Sequence, residues 1–221
     1  MRVDAPKGVT GAMEVLALRD GAFVLHVRAF FGAEEADALL AVLLAELEWT
    51  QRTVVLFGRE VVQPRLIAWA GALPYRYSGR TLEPRRMGAT LAAMVSRVSA
   101  RAQAPFNHVL ANRYRDGDDS MGMHADDEPE LGAEPVVASL SLGAARAFVL
   151  AARHGPERHR LLLGHGDLCV MGGTCQRHYR HGVPKARAPV GERVSLTLRQ
   201  VLCAPVPKLT PRRPGGCAAL R

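Results

Sequence analysis

Two residue types that bind divalent metal ions stand two apart in His124-Ala125-Asp126. On a strand, residues at i and i+2 point to the same face, so one ion can meet the imidazole and the carboxylate together. The pattern recurs at His165-Gly166-Asp167, where Gly164 and Gly166 favour a turn feeding the run Leu168 to Met171, and this second copy reads as structural. A distal histidine is available in His178-Tyr179-Arg180-His181-Gly182-Val183, from either His178 or His181. One carboxylate and two histidines form the ligand set of a facial ferrous site, with positions left open for an oxo acid and dioxygen.

An oxo acid needs a cationic partner. Arg193-Val194-Ser195-Leu196-Thr197-Leu198-Arg199 alternates strictly, placing Arg193, Ser195, Thr197 and Arg199 on one strand face and three apolar residues on the other. A polar stripe with an arginine at each end is either an anion clamp or an ordinary solvated face, since period-2 alternation is common in antiparallel sheets. Asp116, Asp118 and Asp119 read as loop and turn residues, because nothing in their spacing makes them converge.

These side chains need a scaffold, and the elements around them read as mostly β. A strand over 22–28 precedes a helix after Gly32 whose Leu39, Leu40, Leu43, Leu44 and Leu47 share a face. Pro84 suits the first turn of a second helix reaching about Ala102. Strands are expected over 53–69, 107–115, 136–150, 159–171 and 193–202, with residues 1 to 20 loose. At 221 residues the chain fits one domain, and its 48% hydrophobic and 23% charged residues with mean hydropathy −0.01 argue against disorder and against a membrane protein. The longest apolar run, around Ala36 to Leu47, is broken by Asp37 and Glu46 and falls short of the about 20 residues of a membrane span. No apolar stretch follows the N-terminus as in a secretory signal, and the four cysteines show no C-x-x-C spacing, so an intracellular protein with reduced thiols is expected.

Charge is unevenly distributed. The net charge is +8, yet Asp116 to Glu130 holds seven carboxylates without a lysine or arginine, while the tail after Ala204 carries Lys208, Arg212, Arg213 and Arg221. A basic body around one acidic segment suggests a polyanionic partner facing a site that gathers carboxylates for a cation.

Taken together, Asn112-Arg113-Tyr114-Arg115-Asp116-Gly117, Met123-His124-Ala125-Asp126-Asp127-Glu128, Ser139-Leu140-Ser141-Leu142-Gly143 with Arg146 and Phe148, Tyr179-Arg180-His181-Gly182-Val183-Pro184 and the 193–199 strand resemble the AlkB family of ferrous, 2-oxoglutarate-dependent nucleic-acid demethylases. The likeness runs from about Phe57 to Val201. Through Phe57-Gly58-Arg59, Pro64-Arg65 and Pro74-Tyr75-Arg76-Tyr77-Ser78-Gly79 it extends to the branch that repairs double-stranded DNA. The resemblance implies a double-stranded β-helix, or jelly roll, as the fold. It implies a dioxygenase unit over 21–204, between an N-terminal extension (1–20) and a basic tail (205–221).

The same resemblance makes His124, Asp126 and His181 the iron ligands, choosing His181 over His178 because the ligand precedes Gly182-Val183-Pro184. It makes Asn112, Tyr114, Arg193, Thr197 and Arg199 the 2-oxoglutarate contacts, with Ser195 where the family more often has Asn. Asp127 and Glu128 would line the base pocket, Arg59 and Arg65 would hold phosphates, and Tyr75, Arg76 and Tyr77 would position an extruded nucleotide. Phe57, ahead of Gly58, would wedge open a duplex, although by its sequence alone it reads more readily as a core residue. The implied activity is removal of methyl groups from 1-methyladenine and 3-methylcytosine in DNA, duplex for preference and single-stranded as an option. Iron(II) with 2-oxoglutarate and O2 as cosubstrates would serve a monomer with no membrane contact. The alternatives are an RNA demethylase or protein hydroxylase on the same scaffold, or an inactive nucleic-acid-binding jelly roll.

Overall fold

The computed structural model describes residues 12–56, 59–77 and 80–202. The fourteen strands of the described residues form three sheets. An eight-stranded antiparallel sheet runs in the order β1 (Met13–Ala17), β2 (Phe23–Val27), β12 (Leu168–Gly172), β9 (Val137–Gly143), β14 (Arg193–Arg199), β7 (His108–Tyr114), β4 (Arg59–Gly71) and β3 (Thr50–Leu56). A four-stranded sheet faces it, in the order β11 (Arg158–Leu163), β10 (Arg146–Ala152), β13 (Tyr179–Val183) and β8 (Met121–His124). A short pair, β5 (Tyr75–Tyr77) and β6 (Arg80–Leu82), forms a third sheet whose Tyr75, Tyr77 and Leu82 pack against Ile67, Trp69 and Leu110 of the large one.

The helices α1 (Ala33–Glu46) and α2 (Ala89–Ala102) cover the outer face of the large sheet. Their apolar stripes, Ala36, Leu39 and Leu43 on one and Leu91, Met94, Val95 and Val98 on the other, bury against Val109, Leu140, Val194, Leu196 and Leu198. Removing such side chains from water contributes about 1.5–3 kcal/mol each, which fixes which face of β14 looks outward. The opposite face is therefore committed to the space between the sheets. There Tyr114, Val137, Phe148, Leu150, Met171, Tyr179 and Val183 form a second cluster. Two facing antiparallel sheets around a shared interior are the expected double-stranded β-helix.

Several local expectations are corrected. Residues 1 to 20 are not loose throughout, because β1 pairs along its length with β2, from Met13 opposite Val27 to Ala17 opposite Phe23. Pro84 does not open a helix. The main chain of Arg85 exchanges two hydrogen bonds with Gly71 instead, and α2 begins after Gly88. The 136–150 and 159–171 runs each split into two strands at a tight turn. At the second of these turns Gly166 has φ +78°, and a Cβ there would stand 2.1 Å from the Phe31 carbonyl oxygen, so glycine is required.

The Leu56↔Arg59 pairing makes β3 and β4 a hairpin joined across residues 57–58. Phe57 and Gly58, the proposed wedge, lie outside the described residues, as do Ser78, Gly79, Cys203, Cys217 and the 205–221 tail. Among the described residues no helix is long and apolar enough to cross a membrane.

Candidate metal and cosubstrate site

Cross-strand pairing assembles the site. His181 on β13 is the register partner of His124 at the end of β8, which brings the two rings to 4.3 Å between centroids. Gly182 permits this approach, because a Cβ there would meet the carbonyl oxygens of Met121 and Gly122 at 2.8 and 3.0 Å. Asp126 completes the cluster, and the ligand atoms of His124, Asp126 and His181 all lie within 4.8 Å of one another. His178, at the end of the short helix α3 (Cys175–His178), is not part of it.

Asp126 does not share a strand with His124, as the i, i+2 argument required, because β8 ends at His124. Convergence comes instead from two side chains. Gln176 on α3 accepts the Asp126 N–H at 2.9 Å, and the Arg199 guanidinium takes Asp126 Oδ1 through Nη2 at 2.6 Å and Nε at 3.1 Å. Oδ2 has no hydrogen-bond partner among the described residues and stands 3.6 Å from His181 Nε2. His124 Nδ1 donates to the Gly122 carbonyl at 3.0 Å, which leaves Nε2 with its lone pair.

Electrostatics prepares these groups as ligands. Burial works against the Asp126 carboxylate, but Arg199 above all, then His181 and His124, hold its pKa down to about 2. Burial is also the main reason His181 falls to about 3, with His124 adding to it. A carboxylate and a neutral imidazole are the states that a cation binds without first displacing a proton.

The polar face of β14 is not solvated. Arg193, Ser195 and Arg199 are buried, and with Thr197 they face the interior beside their register partners on β7 and β9. Tyr114 and Asn112 on β7 stand opposite Arg193 and Ser195, while Ser141 and Ser139 on β9 stand opposite Ser195 and Thr197. One cavity between the sheets is lined by Asn112, Tyr114, His124, His181, Ser195, Thr197 and Arg199.

Arg193 is only 1% exposed. Its Nη2 donates to Ser141 Oγ at 2.7 Å and more weakly to Ser195 Oγ at 3.4 Å, while among the described residues Nε and Nη1 have no hydrogen-bond partner. A buried guanidinium with two idle donors is a poor structural residue and a ready clamp for a carboxylate. Asn112 gives its Oδ1 to Arg65 Nε at 2.9 Å, so its amide nitrogen remains for a ligand.

Several expected nucleic-acid contacts are placed elsewhere. Arg65 is 4% exposed and spends its donors on Asn112, the Ser120 carbonyl and the Tyr77 hydroxyl, so it braces the cavity wall instead of reaching a phosphate. Tyr75 is fully buried, its ring centroid 4.8 Å from that of His108 at a tilt of 60° with the Arg199 guanidinium 5.5 Å from the ring centroid, and Tyr77 is buried with it. Asp127 turns outward to Arg153 Nη2 at 2.5 Å. Glu128 turns inward, beside Asp126, Arg199 and Tyr75, and burial followed by the Asp126 charge pushes its carboxyl up. Arg59 and Arg76 are exposed.

The second triplet is structural, as expected. Asp167 Oδ2 accepts from His26 Nε2 at 3.0 Å and from the Gly164 N–H, Oδ1 accepts from the Ala29 N–H, and His165 Nδ1 accepts the Gly143 N–H. Asp119 likewise serves its loop, paired with Arg115. Gln176 was not among the expected site residues, and Ser139 and Ser141 carried the resemblance without an assigned role. The serines were recoverable from the alternation of Ser139-Leu140-Ser141-Leu142 once β9 is paired with β14, whereas nothing in the sequence around Gln176 signals its reach across fifty residues.

Comparison with known proteins decides the family. Residues 23–199 match the 2OG-Fe(II) oxygenase superfamily. Over 193 residues the chain is 40% identical to the mouse alpha-ketoglutarate-dependent dioxygenase alkB homolog 3, covering 83% of this chain and 67% of that one. The chain belongs to the AlkB family of 2OG-Fe(II) oxygenases. It is 37% identical over 187 residues to the human DNA oxidative demethylase ALKBH2, covering 78% of this chain and 71% of that relative. The solved structure of OsALKBH1 shares the fold, with TM-score 0.61 at 16% identity over 85% of this chain and all of the other. As an AlkB-family dioxygenase the protein uses Fe(II), 2-oxoglutarate and dioxygen. The His-Asp-His cluster beside a buried guanidinium with idle donors fits that set.

Proposed function

We propose that this dioxygenase removes methyl groups from the pairing edges of nucleic-acid bases, with 1-methyladenine and 3-methylcytosine in DNA as substrates. The observation that carries the reading is the placement of buried Arg193, with Nε and Nη1 unpaired among the described residues, on the same strand as Arg199, the partner of Asp126 in the His124–Asp126–His181 cluster. A dicarboxylate anchored at Arg193 extends along Ser195 and Thr197 toward the ligands. The names of two relatives, a DNA oxidative demethylase and an alkB homolog 3 dioxygenase, point to alkylated nucleic acid as the substrate class.

In this reading His124 Nε2, Asp126 Oδ2 and His181 hold the iron, which with 2-oxoglutarate and O2 supplies the oxidation that turns an N-methyl group into an unstable hydroxymethyl, released as formaldehyde. The chain does the rest. Arg193, Asn112 and Tyr114 orient the cosubstrate; Arg199 keeps Asp126 ionised and pointed. Phe148, stacked 5.4 Å from the His181 ring, and Met171 keep the cavity dry. Glu128, turned inward beside Asp126, would be the carboxylate that meets the base. A base within a duplex is out of reach of such an interior, so it must be extruded. The β3–β4 hairpin, with Phe57 and Gly58 between its strands in sequence and Arg59 exposed at the start of β4, is suited to that task. The basic tail over 205–221 would add phosphate contacts without sequence preference.

The test is turnover on matched single- and double-stranded DNA and RNA oligonucleotides, each with one defined methylated base. Formaldehyde from DNA supports the reading. Release from RNA alone favours an RNA demethylase, and 2-oxoglutarate consumption with no methylated-base product returns the protein to a hydroxylase of other substrates.

A further inference from the structure

We propose that Gln176 is a positioning residue for the metal site, holding the Asp126 main chain in place where the sheet no longer does. The inference rests on the reading of His124, Asp126 and His181 as the ligands. Strand β8 stops at His124, so no ladder bond fixes the peptide that carries Asp126. Its N–H goes instead to the side-chain oxygen of Gln176, 2.9 Å away, and the glutamine is itself only 1% exposed. Gln176 has its own orientation set, because Nε2 donates to Met171 Sδ at 3.6 Å, so the oxygen and not the nitrogen faces Asp126.

The location of this glutamine links the ligands to each other. Helix α3 runs directly into β13, which places Gln176 five residues before His181. One short segment thus supplies the third ligand and fixes the backbone of the second. The outer side is latched as well, since Arg153 Nη2 bonds both the Gln176 carbonyl at 3.0 Å and Asp127 Oδ2 at 2.5 Å. Arg199 grips the Asp126 carboxylate from within the cavity, so the residue is held at its side chain by one partner and at its peptide by another. Without Gln176 the Asp126 peptide can rotate, and Oδ2 leaves the position where it meets His124 and His181. Outer partners of metal ligands of this kind are worth about 10- to 100-fold in metal affinity.

Calorimetric titration of the full chain with Mn(II) alone tests this without relying on turnover. Gln176→Leu should weaken Mn(II) binding by about 10- to 100-fold. Gln176→Glu, which keeps an acceptor oxygen at the same reach, should recover most of that loss, whereas the shorter Gln176→Asn should not. Melting curves of the four proteins accompany the titration, and should Gln176→Leu fail to fold, the contrast between Glu and Asn carries the test. Equal binding by wild type and Gln176→Leu, or equal losses in the Glu and Asn variants, overturns the proposal. Asp126→Ala separates the two levels: retained Mn(II) binding there would instead remove the ligand assignment on which the proposal stands.

Discussion

Arg199 forks onto a single oxygen of Asp126, Nη2 at 2.6 Å and Nε at 3.1 Å from Oδ1, and leaves Oδ2 without a hydrogen-bond partner among the described residues. Both side chains are 2% exposed or less. Breaking a buried pair by removing one partner strands the other charge and costs about 3–5 kcal/mol. Arg199→Ala should therefore lower the stability of the metal-free protein by about that amount in chemical denaturation. Added Mn(II) should restore part of it, because the cation replaces the lost positive charge beside Asp126. A variant as stable as wild type, or one that the ion fails to rescue, would contradict this role.

Arg193 answers to a different ligand. Its replacement by alanine should raise the KM for 2-oxoglutarate about thirtyfold, corresponding to about 2 kcal/mol for an unpaired carboxylate, while Mn(II) binding and the KM for DNA change little. Arg193→Lys should recover only part, since one ammonium replaces a two-donor fork. Steady-state kinetics with each substrate varied in turn will show it. An unchanged dependence on 2-oxoglutarate would mean that the idle donors meet nothing.

Asp167 gives the contrasting case of a carboxylate that serves only the fold. Burial pushes it up, yet hydrogen bonds from His26, Gly164 and Ala29 hold its pKa below the ordinary 3.8. A depressed folded-state pKa contributes stability in full above 3.8 and loses it as pH falls through the folded value. Asp167→Asn should thus be less stable by about 1–3 kcal/mol, with a deficit that is constant from neutral pH to about 5 and shrinks below 3.8. Its Mn(II) affinity should match wild type. Denaturation curves across pH, paired with the titration, separate this from a metal-site defect.

The wedge is a matter of substrate form. If Phe57 fills the gap left by an extruded base, it replaces stacking worth about 1–3 kcal/mol. Phe57→Ala should then slow repair of a duplex by about tenfold or more and leave a single-stranded oligonucleotide largely unaffected. Equal losses on both, or a fall in thermal stability, would place Phe57 in the core.

What the sequence could and could not reveal follows from how each contact is made. The alternation of Arg193 to Arg199 was legible because a strand covered by helices on one face must turn its polar residues to the other, and burial of Val194, Leu196 and Leu198 enforces that. Its ambiguity between clamp and solvated face was not resolvable there, since solvation depends on whether a second sheet lies opposite. His124 and Asp126 were legible as a pair for a reason that fails in the structure: they converge through Gln176 and Arg199, contacts made across 50 and 73 residues. Arg65 and Tyr75 read as nucleic-acid contacts through the resemblance, whereas their burial and the bonds of Arg65 to Asn112, Ser120 and Tyr77 depend on neighbours that no local pattern announces. The division of Asp127 outward and Glu128 inward depends on Arg153, which no local pattern announces.

The central claim is tested most directly by one assay of linked products. A 3-methylcytosine DNA oligonucleotide is incubated with Fe(II), 2-oxoglutarate and O2, and formaldehyde, succinate and unmodified cytosine are quantified for wild type, Asp126→Ala and His165→Ala. The predicted result is equal amounts of the three products from wild type and His165→Ala and none from Asp126→Ala. Succinate without cytosine repair from wild type, or repair that survives in Asp126→Ala, would contradict it.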